Sequence, residues 1–250
     1  MALCVNVSGR GPDLVLVHGW GMNAAVWAPV LAHLEGHWRV HRVDLPGHGR
    51  SPWSGAATLA DWAEAVAAAV PAGALWVGWS LGGLVTLQAA RDGHPRAWLA
   101  VAASPRFLRA PDWPCALDPA VLEQFGGDLL DDPEGTLRRF LALQVQGAEG
   151  ARATLKALRR ALSERGMAVP EALAAGLALL RESDLRAHLA ALAAPGAWLL
   201  GERDRIVPPC LAEHLARIVP HQPVTCLAGA GHAPFLTHPE VLVAALEALP

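Results

Sequence analysis

Six short apolar runs recur along the chain, each closed by a glycine, a serine or an aspartate. They are Leu14–Gly19, Trp38–Gly47, Ala74–Ser80, Ala97–Ser104, Ala197–Asp204 and Gln222–Gly229. Runs of this length, rich in Val and Leu and bounded by turn residues, read as strands buried on both faces. Helical patterns lie between most of them, at Thr58–Val70, Leu81–Asp92 and Pro209–Val219, with another at Pro239–Leu249. Strands alternating with helices predict an α/β fold: a mostly parallel central sheet flanked by helices.

The alternation breaks once. From about residue 107 to 194 no strand pattern occurs, only helical stretches near Asp118–Phe125, Pro133–Gln146, Ala151–Arg165 and Pro170–Leu180. An all-helical insertion between two strands predicts a cap over one end of the sheet. The expected division is a core of residues 1–106 and 195–250 and a cap of 107–194. The longest uncharged stretch, Ala65–Ala90, has the length of a membrane span. Pro71, Gly73, Gly78, Gly82 and Gly83 punctuate it, so helix, turn, strand, turn and helix is the better reading, with no membrane partner.

Composition narrows the class. With 250 residues, 53% of them hydrophobic, the chain can bury one sizeable core. A net charge of -3 weighs against nucleic acid as a partner. Cys4, Cys115, Cys210 and Cys226 have neither metal-like spacing nor the density of a disulfide framework. The opening "MALCVNVSGRGPD" lacks a basic segment followed by a long apolar one, so no signal peptide is read. A cytoplasmic protein acting as a monomer is expected.

The third apolar run ends in "GWSLGG", Gly78–Gly83, and a helix follows it. A lone Gly-x-Ser-x-Gly occurs by chance, and its serine is as readily a turn residue as a nucleophile. The surroundings decide. A strand, a sharp turn and a helix form the setting in which a serine hydroxyl is presented for attack, and the flanking glycines admit backbones that a Cβ would exclude. The hydroxyl is a weak nucleophile and needs a histidine base, which in turn needs an acid to fix its tautomer. "GERDRIVP" after the fifth run offers Asp204, and "GAGHAPF" after the sixth offers His232. Glu202 and Asp184 are alternative acids in poorer positions. His18 and His238 read as structural, and Asp44 as ordering a turn.

Acyl transfer also requires backbone N–H groups aimed at the developing oxyanion. Leu81, directly after the serine, supplies one, and Trp20 of "HGWG" the other. Trp20, Leu81 and Phe140 are candidates for contacting substrate, while Trp79 fits a core reading almost equally well. No metal and no organic cofactor is required.

Taken together, "LVHGWGMNAAVW", "VDLPGHGRS", "VGWSLGG", "GERDRIVP" and "GAGHAPFLTHP" resemble the α/β-hydrolase family in order and over nearly the whole chain. "HGWG", "GWSLGGL" and "RFLALQ" (Arg139–Gln144) resemble in particular the pimeloyl-[acyl-carrier protein] methyl ester esterases of biotin synthesis. The resemblance implies the α/β-hydrolase fold and a reaction. Ser80 would attack the methyl ester of a pimeloyl chain carried on acyl-carrier protein, His232 would take its proton, and methanol would leave.

That carrier is acidic, and the resemblance maps its docking cations onto Arg139, Arg152 and Lys156, with Arg159 or Arg138 as compensating charges. Lys156 departs from arginine and loses the bidentate fork. Gly135 stands where a further arginine is expected. The sequence speaks to the same surface independently. Residues 138–165 hold Arg138, Arg139, Arg152, Lys156, Arg159, Arg160 and Arg165 against only Glu149 and Glu164. Arg152, Lys156, Arg159 and Arg160 fall on one helical face, although such charged faces are often merely solvated. Two other functions remain open at this point: a general short-chain carboxylesterase or enol-lactonase, and a non-catalytic binding protein on the same fold, which would carry a damaged triad. A haloalkane dehalogenase would need an aspartate in place of Ser80.

Overall fold

The structure, a computed structural model, describes residues 2–250. Its centre is a seven-stranded sheet with the order β1-β3-β2-β4-β5-β6-β7. In chain order the strands are β1 (Val5–Gly9), β2 (Asp13–Val17), β3 (Arg39–Val43), β4 (Leu75–Trp79), β5 (Ala97–Val101), β6 (Gly196–Gly201) and β7 (Val224–Leu227). Every pairing is parallel except that of β1 with β3. The six apolar runs account for β2 to β7. β1 lies outside them because Val5 and Val7 alternate with Asn6 and Ser8, so it carries no apolar run; the other edge strand, β7, is not buried on both faces, against what its run predicts.

The sheet is covered on both faces, and the strands show why. Val15, Val17, Trp76, Trp98, Ala100, Trp198 and Leu200 enter one apolar cluster. Their neighbours Leu14, Leu16, Leu75, Val77, Leu99 and Leu199 enter the other. A strand turns alternate side chains to opposite faces, so burial on both sides demands an unbroken apolar run. A 3-10 helix, Ala24–Val30, and the short α1 (Leu31–Leu34) lie between β2 and β3. α2 (Leu59–Ala67) and α3 (Leu81–Arg91) flank β4, and α3 packs on β4 and β5.

Between β5 and β6 the chain forms α4 (Pro119–Asp131), α5 (Pro133–Val145), α6 (Ala151–Arg165) and α7 (Pro170–Glu182). A 3-10 helix, Arg186–Ala191, leads back to the sheet. Proline fills the first position of α4, α5 and α7, where its missing N–H is not needed. The Asp118 and Asp132 carboxylates accept N–H groups of the first turns of α4 and α5. α8 (Leu211–Ile218) follows β6, and α9 (Pro234–Thr237) and α10 (Pro239–Glu247) end the chain. Among the described residues no helix is long and apolar enough to cross a membrane.

The insertion has no separate core. Its Leu137, Phe140, Leu173 and Leu177 belong to the same buried cluster as the sheet. Polar bolts hold it at both ends. Where the chain enters and leaves, Arg106 and Arg186 grip Asp184 at 2.8 and 2.7 Å, and Arg186 reaches Asp112 at 2.9 Å. The guanidinium of Arg186, with that of Arg106, holds the Asp184 carboxyl well below the usual carboxylate range. Close by, Cys115 and Cys210 form a disulfide, a pairing across 95 residues for which the sequence held no signal. At the end of α6, Arg165 donates to Asp44 at 2.8 Å in a buried pair. Asn23 donates to the carbonyls of Ala161 and Gly166, each at 3.1 Å. Asp44 therefore does more than order a turn: it also ties α6 to the loop after β3.

Candidate active site

Ser80 sits at the junction of β4 and α3 with φ 56° and ψ -119°. That is a strained conformation for any residue but glycine. The neighbouring glycines explain why the strain persists. A Cβ on Gly82 would collide with the carbonyls of Val17 and His18, and one on Gly78 with the Gly82 carbonyl. The backbones of β2, β4 and α3 thus close in on the turn. The Ser80 N–H donates to the Val101 carbonyl at 3.0 Å, fixing it to β5 as well.

The structure brings Ser80, His232 and Asp204 together from three loops, each following a strand. Ser80 Oγ lies 2.8 Å from His232 Nε2, and His232 Nδ1 lies 2.7 Å from Asp204 Oδ2. The other carboxylate oxygen of Asp204 accepts the N–H groups of Ile206 and Val207 at 2.8 and 3.0 Å. A carboxylate so filled cannot turn away, and it requires a proton on Nδ1. That tautomer leaves Nε2 free to accept from the serine hydroxyl. All three side chains are buried. Of the alternative acids, Glu202 accepts the Gly229 N–H at 2.9 Å, and Asp184 is consumed by Arg106 and Arg186.

His232 is also held by its backbone, through two residues whose part the sequence did not reveal. Its N–H donates to the Gln144 carbonyl of α5 at 3.0 Å. Its carbonyl accepts the Trp79 indole N–H at 2.6 Å. Trp79 is therefore neither mere filler nor free pocket wall; it stands behind the histidine, edge-on to Phe235. Gln144 is buried, and among the described residues neither end of its side-chain amide has a partner. The available signal was an amide set among Phe140, Leu141 and Val145 on the buried face of a helix.

Above the serine, Gly19 comes so near that a Cβ there would meet Ser80 Cβ at 3.1 Å. The next residue, Trp20, is buried, and its indole donates to the Leu173 carbonyl of α7 at 2.9 Å. Among the described residues, the main-chain N–H groups of Trp20 and Leu81 donate to no protein acceptor. Phe140 meets Trp20 edge-on at 4.9 Å, and Phe125 meets Phe140 at 5.7 Å. These rings run from the loop after β2 to the wall of an open groove of about 680 Å³ between α4 and α5. Two neutral histidines underlie the same loop. Burial pushes His48 down to about 3, and burial also lowers His18, against the opposing pull of Asp44. His18 accepts the Leu45 N–H at 3.0 Å.

The basic candidates fall into two groups. Arg139 is engaged by Asp128 at 3.0 Å and Asp132 at 3.8 Å. Arg152, Lys156, Arg159 and Arg160 are exposed along α6, and among the described residues none has a carboxylate within 4 Å. Gly135 is explained by its helix start. Its N–H donates to Asp132 Oδ1 at 2.8 Å, and a Cβ there would run into that same carboxylate.

Comparison with known proteins places the chain in a family. Residues 14–245 match the alpha/beta hydrolase family. A pimeloyl-[acyl-carrier protein] methyl ester esterase from Stenotrophomonas maltophilia is 45% identical over 244 residues, 97% of this chain and 94% of that one. The protein of the same name from Xanthomonas campestris pv. campestris is 47% identical over 245 residues, 97% and 96% of the two chains. An esterase from Exiguobacterium antarcticum superposes with a TM-score of 0.86 at 19% identity, over 98% of this chain and 94% of its own; this likeness is one of fold alone. An esterase from a Rhodococcus species superposes at 0.79 with 27% identity, over 98% and 93%. Sheet, strand order and sequence agree: the chain belongs to the alpha/beta hydrolase family.

Proposed function

We propose that the chain is a serine carboxylesterase that hydrolyses the methyl ester of a pimeloyl chain borne by acyl-carrier protein, releasing methanol. The observation that carries the chemistry is the buried hydrogen-bonded series Ser80–His232–Asp204. The near-whole-length identity to esterases of that name supports the substrate.

In this reading residues 107–194 act as a cap on a hydrolase core of 1–106 and 195–250. The ester carbonyl lies beside Ser80, its oxygen received by the N–H groups of Trp20 and Leu81. His232 Nε2 takes the hydroxyl proton as Oγ attacks, and Asp204 stabilises the imidazolium. The imidazolium then protonates the leaving methoxide. Water enters, gives a proton to Nε2 and attacks the acyl-enzyme, freeing the carboxylate and restoring Ser80. Trp20, Leu81 and Phe140 contact the acyl chain, and the unpartnered Gln144 amide supplies a polar group next to His232.

The cations on α6 meet the acidic carrier. Arg152, Lys156 and Arg159 carry that contact, and Arg139 joins only by exchanging Asp128 and Asp132 for the partner's carboxylates. The test compares kcat/KM for the carrier-linked methyl ester with that for a free short methyl ester. An advantage for the linked ester that shrinks at high salt supports the proposal. Equal efficiency at all salt concentrations would leave an esterase without a carrier-directed face.

A further inference from the structure

Arg205 follows Asp204 directly, yet its side chain takes no part in holding that loop. The loop is fixed by Asp204 Oδ1 and by the Arg203 N–H, which donates to the Ala230 carbonyl at 2.8 Å. Arg203 spends its guanidinium internally, on the Gly147 carbonyl at 3.1 Å and Glu149 at 3.5 Å. Arg205 is exposed, and among the described residues it has no carboxylate within 4 Å and no hydrogen bond from its guanidinium. It reaches from the sheet side towards the insertion: its Nη2 lies 3.9 Å from where a Cβ on Gly147 would stand.

Gly147 lies in the turn between α5 and α6 and lines the groove of about 680 Å³ together with Arg139, Gln146 and Ala151. The charges at this groove are unevenly compensated. Arg139 is neutralised by Asp128, which lines the groove too. At the Gly147 end Arg205 is uncompensated, and from Ala151 the exposed Arg152, Lys156 and Arg159 continue along α6. A chain of net charge -3 thus places free cations from two separate elements at the Gly147–Ala151 edge of the groove, Arg205 beside Gly147 and Arg152 next to Ala151.

Accepting that an acidic carrier docks on α6, we infer that the docking surface crosses from the insertion onto the loop after β6, with Arg205 as its cation there. Charge complementarity selects the partner: clustered, unpaired guanidinium groups suit an acidic protein surface and steer its approach. The contact would place the carrier against the segment that holds Asp204.

The experiment measures kcat/KM of wild type, Arg205→Glu and Arg205→Gln on the carrier-linked methyl ester and on a free methyl ester, at low salt and at high salt. The expected result is a loss of about 5- to 20-fold for Arg205→Glu on the linked ester at low salt, a smaller loss for Arg205→Gln, and unchanged turnover of the free ester. High salt should remove most of the difference. A wild type that prefers the linked ester while both variants match it overturns the role of Arg205 and leaves carrier docking on α6 standing. Equal losses on both esters overturn it too, because Arg205 would then be supporting Asp204. A wild type with no preference for the linked ester overturns the carrier reading itself.

Discussion

Ser80 and Lys156 mark two ways in which this molecule uses polar residues. Around Ser80 every group is buried, and its position is set by backbone: carbonyls close on Gly82, N–H groups fill Asp204, and main-chain bonds hold His232 from both sides. Around Lys156 the groups are exposed and, among the described residues, no carboxylate answers them. The first arrangement is made before any ligand arrives, at the cost of a strained serine. The second leaves charge for a partner to satisfy. The difference teaches that preorganisation and recognition are built from opposite materials here, so mutations in the two regions should fail differently.

The largest effect belongs to the buried region. Ser80→Ala should reduce ester hydrolysis by about 10^6-fold, and Asp204→Asn by about 10^4-fold through the wrong histidine tautomer. Both should act on free and carrier-linked esters alike, with thermal unfolding little changed. Steady-state kinetics on the two substrates checks this. A Ser80→Ala protein with substantial turnover would remove the serine from the mechanism.

Next comes the link between the insertion and the segment after β6. Cys115–Cys210 closes a loop of 95 residues containing all four insertion helices. Chain entropy assigns such a closure about 4 to 5 kcal/mol. In a chain of this size that corresponds to a fall in Tm of roughly 10 to 15 °C for Cys115→Ser, or for wild type in reductant. Calorimetry decides: an unchanged Tm in both cases would mean that the two thiols are not joined in solution.

The exposed face should respond more gently and more selectively. Reversing Arg152, Lys156 and Arg159 to glutamate should lower kcat/KM on the carrier-linked ester by roughly 10- to 100-fold at low salt, since rim charges act mainly on encounter. The free ester should be spared. If both substrates suffered equally, the two regions would be coupled through α6, and the contrast drawn between them would not hold.

How much of this was legible in the sequence follows the same division. The strands before Ser80 and Asp204 could be read because a buried parallel sheet writes itself as apolar runs; β7, before His232, has no buried position and was legible from its short run between Pro223 and Gly229. The other edge strand, Val5–Gly9, could not, because Val5 and Val7 alternate with Asn6 and Ser8 and leave no run. Contacts across the fold were hidden. Trp79 reaches His232 across 153 residues, Arg165 reaches Asp44 across 121, and Cys115 reaches Cys210 across 95. Arg139 shows the same limit. The resemblance named it as a docking cation, and the carboxylates of Asp128 and Asp132, brought beside it by the α4–α5 turn, could not be foreseen.

The smallest effect probes the buried region from beneath. His48 is held neutral with a pKa of about 3 against an ordinary 6.5, and burial depresses His18 in the same direction. Unfolded histidines take up protons as pH falls below about 6.5, while these two resist until the fold opens. For His48 stability is therefore complete above that pH and declines between about 6.5 and 3, by about 1.4 kcal/mol per pH unit, and His18 adds a loss in the same direction. The depressed carboxyl of Asp184 adds its own loss only below the ordinary carboxylate value of 3.8. His48→Phe keeps a ring against His18 and Trp62 and removes a buried Nε2 that has no partner. It loses the Nδ1 bond to the Pro46 carbonyl, so at pH 8 its stability should differ from wild type by only about 1 kcal/mol. Between pH 4 and 6 its stability should fall less steeply, measured by urea titration at each pH. An unchanged slope would show that His48 titrates equally in folded and unfolded chains.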